Sequence, residues 1–138
     1  MKTMWIEAGD MSGGSRNQIE FDEDLAKFFT EDLPMIGDQV ELQIGVDVRW
    51  LACGLAAKRT SYGVDIYRLS LPTVARGGHD YAGQIVRFDR SGPIGSRYFQ
   101  VTVVENGSDE HNLLKAGSQA NATLSSTSGS SGREFGYL

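Results

Sequence analysis

Short stretches in which apolar and polar residues alternate, each cut off by Gly, Ser, Asn or Pro, recur along most of the chain, and a period of two is the period of a strand. MWIEA can open one strand, and NQIEFD continues as a second, with Ile19 and Phe21 alternating against polar neighbours beyond the turn-rich loop GDMSGGSR. VELQIGV, RWLACGLAAKR and VDIYRLSL follow as three more, with Gly45 and then Ser61-Tyr62-Gly63 as reversal points. QIVRFDR and RYFQVTVVE form a late pair around SGPIGS. Two segments break the alternation. In DEDLAKFFTEDLP, Asp22 or Asp24 can cap a short helix whose stripe is Leu25, Phe28 and Phe29, with Pro34 just beyond its end. In SDEHNLLKAG, Ser108 is a candidate N-cap and Gly117 a candidate C-terminal stop, and LPTVARGG can hold a brief helical turn. The expectation is a mostly β domain, closed or half closed, of about seven short strands with two short helices.

At 138 residues and 40% hydrophobic content the chain fits one domain, burying roughly two-thirds of the surface its unfolded form exposes. That domain is expected over residues 1–118. Residues 119–132 are rich in Ser, Gly and Thr, too poor in apolar surface to order themselves, and read as a flexible segment. Residues 133–138 return an Arg, two aromatics and a leucine, which suits a final strand, an edge clip or the start of a further region.

Composition removes several classes of function. Cys53 is alone, so no internal disulfide is expected, and no apolar run approaches 20 residues and no basic-then-apolar leader is visible, so the expected setting is cytoplasmic with no membrane partner. His79 and His111 are isolated and no HExxH or paired CxxC occurs, so no metal or cofactor is expected. No nucleophile elbow, P-loop ending or convincing carboxylate pair for magnesium is present, and the chain is not read as an enzyme. Charge is unevenly spread. The total is -5, yet residues 49–97 carry eight Lys/Arg against three Asp/Glu, while residues 1–48 carry three against eleven. A basic middle suits a polyanion-facing surface, with the acidic remainder discouraging non-specific adhesion.

Within that basic middle, GQIVRFDRSGP carries Arg87 and Arg90 along a strand into a turn. Together with WIEAGDMSGGSRNQIEFDEDLAKFF and GDQVELQI, in that order, it resembles the N-terminal effector-binding domain of EcoRII-like restriction endonucleases. The counterparts are Asp10, Ser12, Gly13 and Gly14 in a first loop and Ile85, Arg87, Phe88, Arg90 and Pro93 in a second. The resemblance implies a DNA-binding pseudobarrel in which two arms, here residues 10–18 and 84–92, grip the major groove of double-stranded DNA. Asp89 and Ser91 fall within the second arm. It also implies a recognition role beside a nuclease domain or subunit, with the isolated domain a monomer. Gln84 replaces the family's basic residue before Ile85, and Ser15-Arg16-Asn17-Gln18 departs from the family pattern, so a different recognition sequence is expected.

The residue chemistry points the same way. Arg presents a fork to guanine O6 and N7, and Asn and Gln do the same for adenine N6 and N7, which suits Arg16, Asn17, Gln18, Gln84, Arg87 and Arg90 to base edges. Ser12, Gly13, Gly14 and Ser15 let backbone N–H groups approach phosphate. Lys58, Arg59 and Arg76 would neutralise phosphates. Phe88 would face the core and fix the register. The rival expectation is a protein-binding adaptor in which GREFGYL adds a strand to a partner's edge.

Overall fold

The computed structural model describes residues 2–9, 17–21, 23–30, 38–46, 48–59, 65–93, 95–126 and 133–138. In chain order its elements are β1 (Thr3–Glu7), β2 (Gln18–Phe21), α1 (Glu23–Thr30), β3 (Gln39–Ile44), β4 (Leu51–Arg59), β5 (Asp65–Ser70), a 3-10 turn (Val74–Arg76), β6 (Ile85–Ser91), β7 (Tyr98–Val104), α2 (Asp109–Ala120), β8 (Ser125–Ser126) and β9 (Glu134–Tyr137). The strands join in the order β2-β5-β4-β3-β7-β6-β1-β9-β8, antiparallel throughout except for β3 and β7.

The sheet curls because β4 changes partners along its length. Leu51–Gly54 pair with β3 and Leu55–Arg59 pair with β5, so the strand turns a corner at Gly54, a residue that weakens a flat strand and marks a bend. The curl wraps around α1. Phe29 stacks on Phe21 of β2 at 5.3 Å and meets Phe88 of β6 and Phe99 of β7 edge-on at 5.1 Å. β2 and β6 are far apart in strand order, and only a strongly curved sheet brings both to one ring. The stripe expected of Leu25, Phe28 and Phe29 is therefore the plug of a half-barrel. Asp22, the Asp24 side chain and Pro34 lie outside the described residues.

A second apolar cluster lies on the outer face. Trp5, Ile85, Val104 and Leu114 pack together under α2, and Trp5 Nε1 donates to Ser118 Oγ at 2.8 Å in the buried interface. Ser108 caps α2 as expected, accepting from the His111 amide at 3.2 Å. The helix does not stop at Gly117 but continues to Ala120. Gly117 instead lets the last residue dock, since a Cβ there would stand 2.7 Å from Leu138 Cδ2. The segment expected to be flexible over 119–132 thus begins inside α2 and contains β8, while residues 127–132 lie outside the described set. β9 is not an edge clip. It pairs with β1 on one side and β8 on the other, so β9 offers no open edge and the sheet ends among the described residues are β2 and β8. Two strands more than the seven expected result. Among the described residues no helix is long and apolar enough to cross a membrane.

Candidate nucleic-acid interface

A relay of hydrogen bonds builds one end of the molecule. Gly9 and Gly83 both adopt positive φ, +70° and +72°, conformations suited to glycine, and the Gly83 amide donates to the Gly9 carbonyl at 2.5 Å. Ala8 N–H donates to Gln84 O, and Gln84 N–H to Tyr81 O, both at 3.0 Å. The Tyr81 ring is buried and its hydroxyl donates to Pro72 O at 2.7 Å. Burial pushes the Tyr81 phenol up to about 12, against the opposing pull of the His79 amide it accepts from, so it remains a donor. One residue earlier, Leu71 N–H donates to Asn17 O at 2.7 Å and Asn17 Nδ2 returns to Leu71 O at 2.9 Å. The two flanks of the first arm, Gly9 and Asn17, are thereby tied through residues 71–84 to the start of β6.

The 72–84 connection is itself rigid. Gly77 adopts a left-handed conformation at φ 90° and closes the 3-10 turn onto Val74 O at 3.1 Å, and Gly78 N–H bonds Thr73 O at 2.8 Å. Gly78 is irreplaceable by geometry, because a Cβ on it would lie 1.9 Å from Pro72 O. The turn presents Val74, 68% exposed, and Arg76, which is exposed and has no ion-pair partner among the described residues.

Of the residues singled out in the first arm, Asp10, Ser12, Gly13, Gly14, Ser15 and Arg16 lie outside the described residues, and so do the Lys58 and Arg59 side chains. Asn17 and Gln84 stand at the relay, with Gln84 Oε1 accepting from Asn106 N–H at 3.3 Å. Gln18 Nε2 reaches Ser70 Oγ at 3.4 Å across the β2–β5 ladder.

The second arm is not the outward pair expected of Arg87 and Arg90. Residues three apart on a strand point to opposite faces, and Arg90 shares the inner face with Phe88, which is buried as expected. The Arg90 guanidinium donates to Phe28 O and to Ser96 O, the latter at 2.7 Å, and lies over the Phe28 and Phe99 rings at 5.0 and 4.9 Å. It satisfies a carbonyl in the last turn of α1, where intrahelical donors have run out, and pins the β6–β7 turn to the plug. Arg87 is on the outer face, but Asp89 holds it in a fork, Nε to Oδ2 at 2.9 Å and Nη2 to Oδ1 at 3.2 Å, with Glu110 at 4.0 Å. Asp89 in turn accepts from Thr3 Oγ1 at 2.6 Å. Because β6 runs antiparallel to β1, Ile85 lies beside Glu7 and Asp89 beside Thr3. Arg90 and Ser91 therefore stand at the far end of a strand that spans roughly 20 Å at 3.3 Å per residue, away from Gly9 and Gln84. The basic middle of the chain is further neutralised by Arg68–Glu20 at 2.7 Å and Arg97–Asp38 at 3.4 Å.

Two features at the relay end escaped the sequence. Arg133 packs on Gly9, where a Cβ would sit 3.0 Å from its Nε, and Glu134 N–H donates to Glu7 Oε1 at 3.1 Å. The only signal was the Arg that opens the aromatic C-terminal segment. The other is a cleft of about 250 Å³ lined by Asn17, Thr73, Val74, His79 and Asp80, which no sequence motif marks. Among the described residues no group of three His, Cys, Asp or Glu could hold a metal ion. Comparison with protein-family models, curated proteins and solved structures finds no match to the chain.

Proposed function

We propose that the chain is a sequence-specific double-stranded DNA-binding domain that reads the major groove with the end of the half-barrel carrying Gly9, Asn17 and residues 72–84. The observation that carries this reading is the relay from Gly9 through Gly83, Gln84, Tyr81 and Pro72 to Leu71 and Asn17. It brings Gly9 and Asn17, the described flanks of the first arm, and a hydrogen-bonded turn bearing Arg76 to one end of the scaffold, and a pre-ordered contact loses less entropy on binding. Asn17 and Gln84 are the base-reading candidates supported by this arrangement, with Gln18 next to Asn17 on the chain and Arg76 on phosphate, while Arg16 and Ser12–Ser15 stay candidates on their residue chemistry alone. Lys58 and Arg59 pair with Ile66 and Asp65, at the end of β5 away from Leu71, and they leave the contact set. Arg90 and Ser91 leave the contact set, and Arg87 and Asp89 form a flanking ion pair on the outer face.

In this reading the chain recognises and does not cut. It acts as a monomer in the cytoplasm, as the recognition domain of an EcoRII-like restriction nuclease whose catalytic part is a separate domain or subunit. For the adaptor alternative, β9 is paired on both flanks, so an exposed β edge would have to be β2 or β8. The test is selection of bound sequences from a randomised duplex pool at near-physiological salt, where a specific binder enriches one motif. Retention of the pool without enrichment, or no retention, refutes the proposal.

A further inference from the structure

The cleft lined by Asn17, Thr73, Val74, His79 and Asp80 lies against the relay and has a chemistry of its own. Its volume of about 250 Å³ falls below the 300–1,000 Å³ range of sites for drug-sized ligands, so it suits one edge of one small ring system. Its polar atoms are biased towards acceptors. Asn17 Nδ2 gives one of its two hydrogens to Leu71 O at 2.9 Å, and Oδ1 adds two acceptor lone pairs. His79 Nδ1 lies 2.7 Å from the Asp80 carbonyl, an oxygen that can only accept. Nδ1 is therefore the donor in that contact, and in the corresponding imidazole tautomer Nε2 presents a lone pair. Asp80 Oδ1 accepts from Ala82 N–H at 3.2 Å, and its second carboxylate oxygen has no partner among the described residues. Among the described residues no Lys or Arg lines the cleft, Thr73 supplies a hydroxyl, and Val74 supplies an exposed apolar wall.

A site of acceptors beside an apolar wall selects a ligand edge that donates and does not accept. In the major groove guanine presents two acceptors, thymine an acceptor and a methyl group, and adenine an acceptor beside its donor. Cytosine is the one base that presents a donor without an acceptor, its N4 amino group, with the C5–H edge next to it. We infer that this cleft is a cytosine-reading subsite, in which the Asp80 carboxylate accepts from N4 and Val74 packs against C5. The inference rests on the proposed DNA-binding role and adds a specificity-determining residue that lies outside both expected arms.

The experiment repeats the duplex selection with the full-length wild-type chain and with Asp80→Asn. Asn keeps an acceptor for the Ala82 amide, so the turn survives, but it replaces the free carboxylate oxygen with a donor. The wild-type motif is expected to contain a position requiring cytosine, and Asp80→Asn is expected to relax that position alone by about tenfold, at the lower end of what one good base contact discriminates. A preference at a single position is the readout because removing a negative charge raises affinity for every duplex alike. A wild-type motif with no cytosine-requiring position, or one that Asp80→Asn leaves unchanged, overturns the subsite while leaving DNA recognition intact. Failure of the wild-type chain to enrich any motif overturns both.

Discussion

Replacing Arg90 separates a structural arginine from a DNA-reading one. Its guanidinium donates to Phe28 O and Ser96 O and lies over two aromatic rings about 5 Å away. Hydrogen bonds from a charged donor contribute about 1.5–3 kcal/mol each, and a partly exposed cation over a ring about 0.5–1 kcal/mol. Taking the low end for the two hydrogen bonds and leaving the half-exposed ring contacts out, Arg90→Ala costs about 3 kcal/mol. For a chain of this size that corresponds to a fall in Tm of roughly 10 °C. Arg90→Lys keeps the charge but not the fork, so it cannot reach two carbonyls in different directions, and it should lose about half as much. Thermal melts followed by circular dichroism measure both. Measured below the lowered Tm, DNA preference should match the wild type. An Arg90→Ala chain that melts like the wild type yet loses its sequence preference would refute the assignment and restore Arg90 to the DNA interface.

Three further outcomes follow from the same geometry. Gly78→Ala forces a Cβ to within 1.9 Å of Pro72 O and should destabilise the fold by about 1–3 kcal/mol in urea titration, with DNA affinity lost along with the turn. Arg76→Ala should weaken binding to cognate and random duplexes alike and reduce the slope of log K against log salt by about 0.9. His111 is buried, its Nδ1 accepts from the Gly107 amide at 2.9 Å, and Nε2 has no hydrogen-bond partner among the described residues. Burial, then the Lys115 charge, holds its pKa below the usual 6.5. The unfolded chain therefore takes up the proton first, so stability is full above about 6.5 and declines as the pH falls from there toward the folded value. Denaturation at pH 7 and pH 5.5 should show a decline that His111→Gln makes shallower.

The alternation of Ile19 with Phe21, and of Phe99 with Val101, made the strands legible, because burial of one face imposes a two-residue period on local sequence. The Leu25, Phe28 and Phe29 stripe likewise announced α1. What the chain hides are choices made at long range. β4 changes partners at Gly54, and nothing local distinguishes that from an ordinary glycine in a strand. Gly117 looks like a helix stop, yet it accommodates Leu138, which arrives from the far side of a Ser/Gly-rich segment. Strand parity already separates Arg87 from Arg90. It cannot say which of them is turned toward the plug, since that depends on the α1 carbonyl waiting there. The first arm was visible as a polar loop, but the cleft beside it comes from two segments, at Asn17 and 73–80, that only the β2–β5 pairing and the Tyr81–Pro72 bond bring together.

The central claim is that DNA meets the relay end of the half-barrel. Backbone amide shifts of the isotopically labelled chain, titrated with its selected duplex, test it most directly. The largest perturbations should fall on Gly9, Asn17, Val74, Arg76, His79, Asp80 and Gln84, with the β6–β7 turn from Ser91 to Arg97 left nearly unmoved. Shifts concentrated on that turn, or on the exposed Trp50–Tyr98 aromatic pair of the outer sheet face, would contradict it.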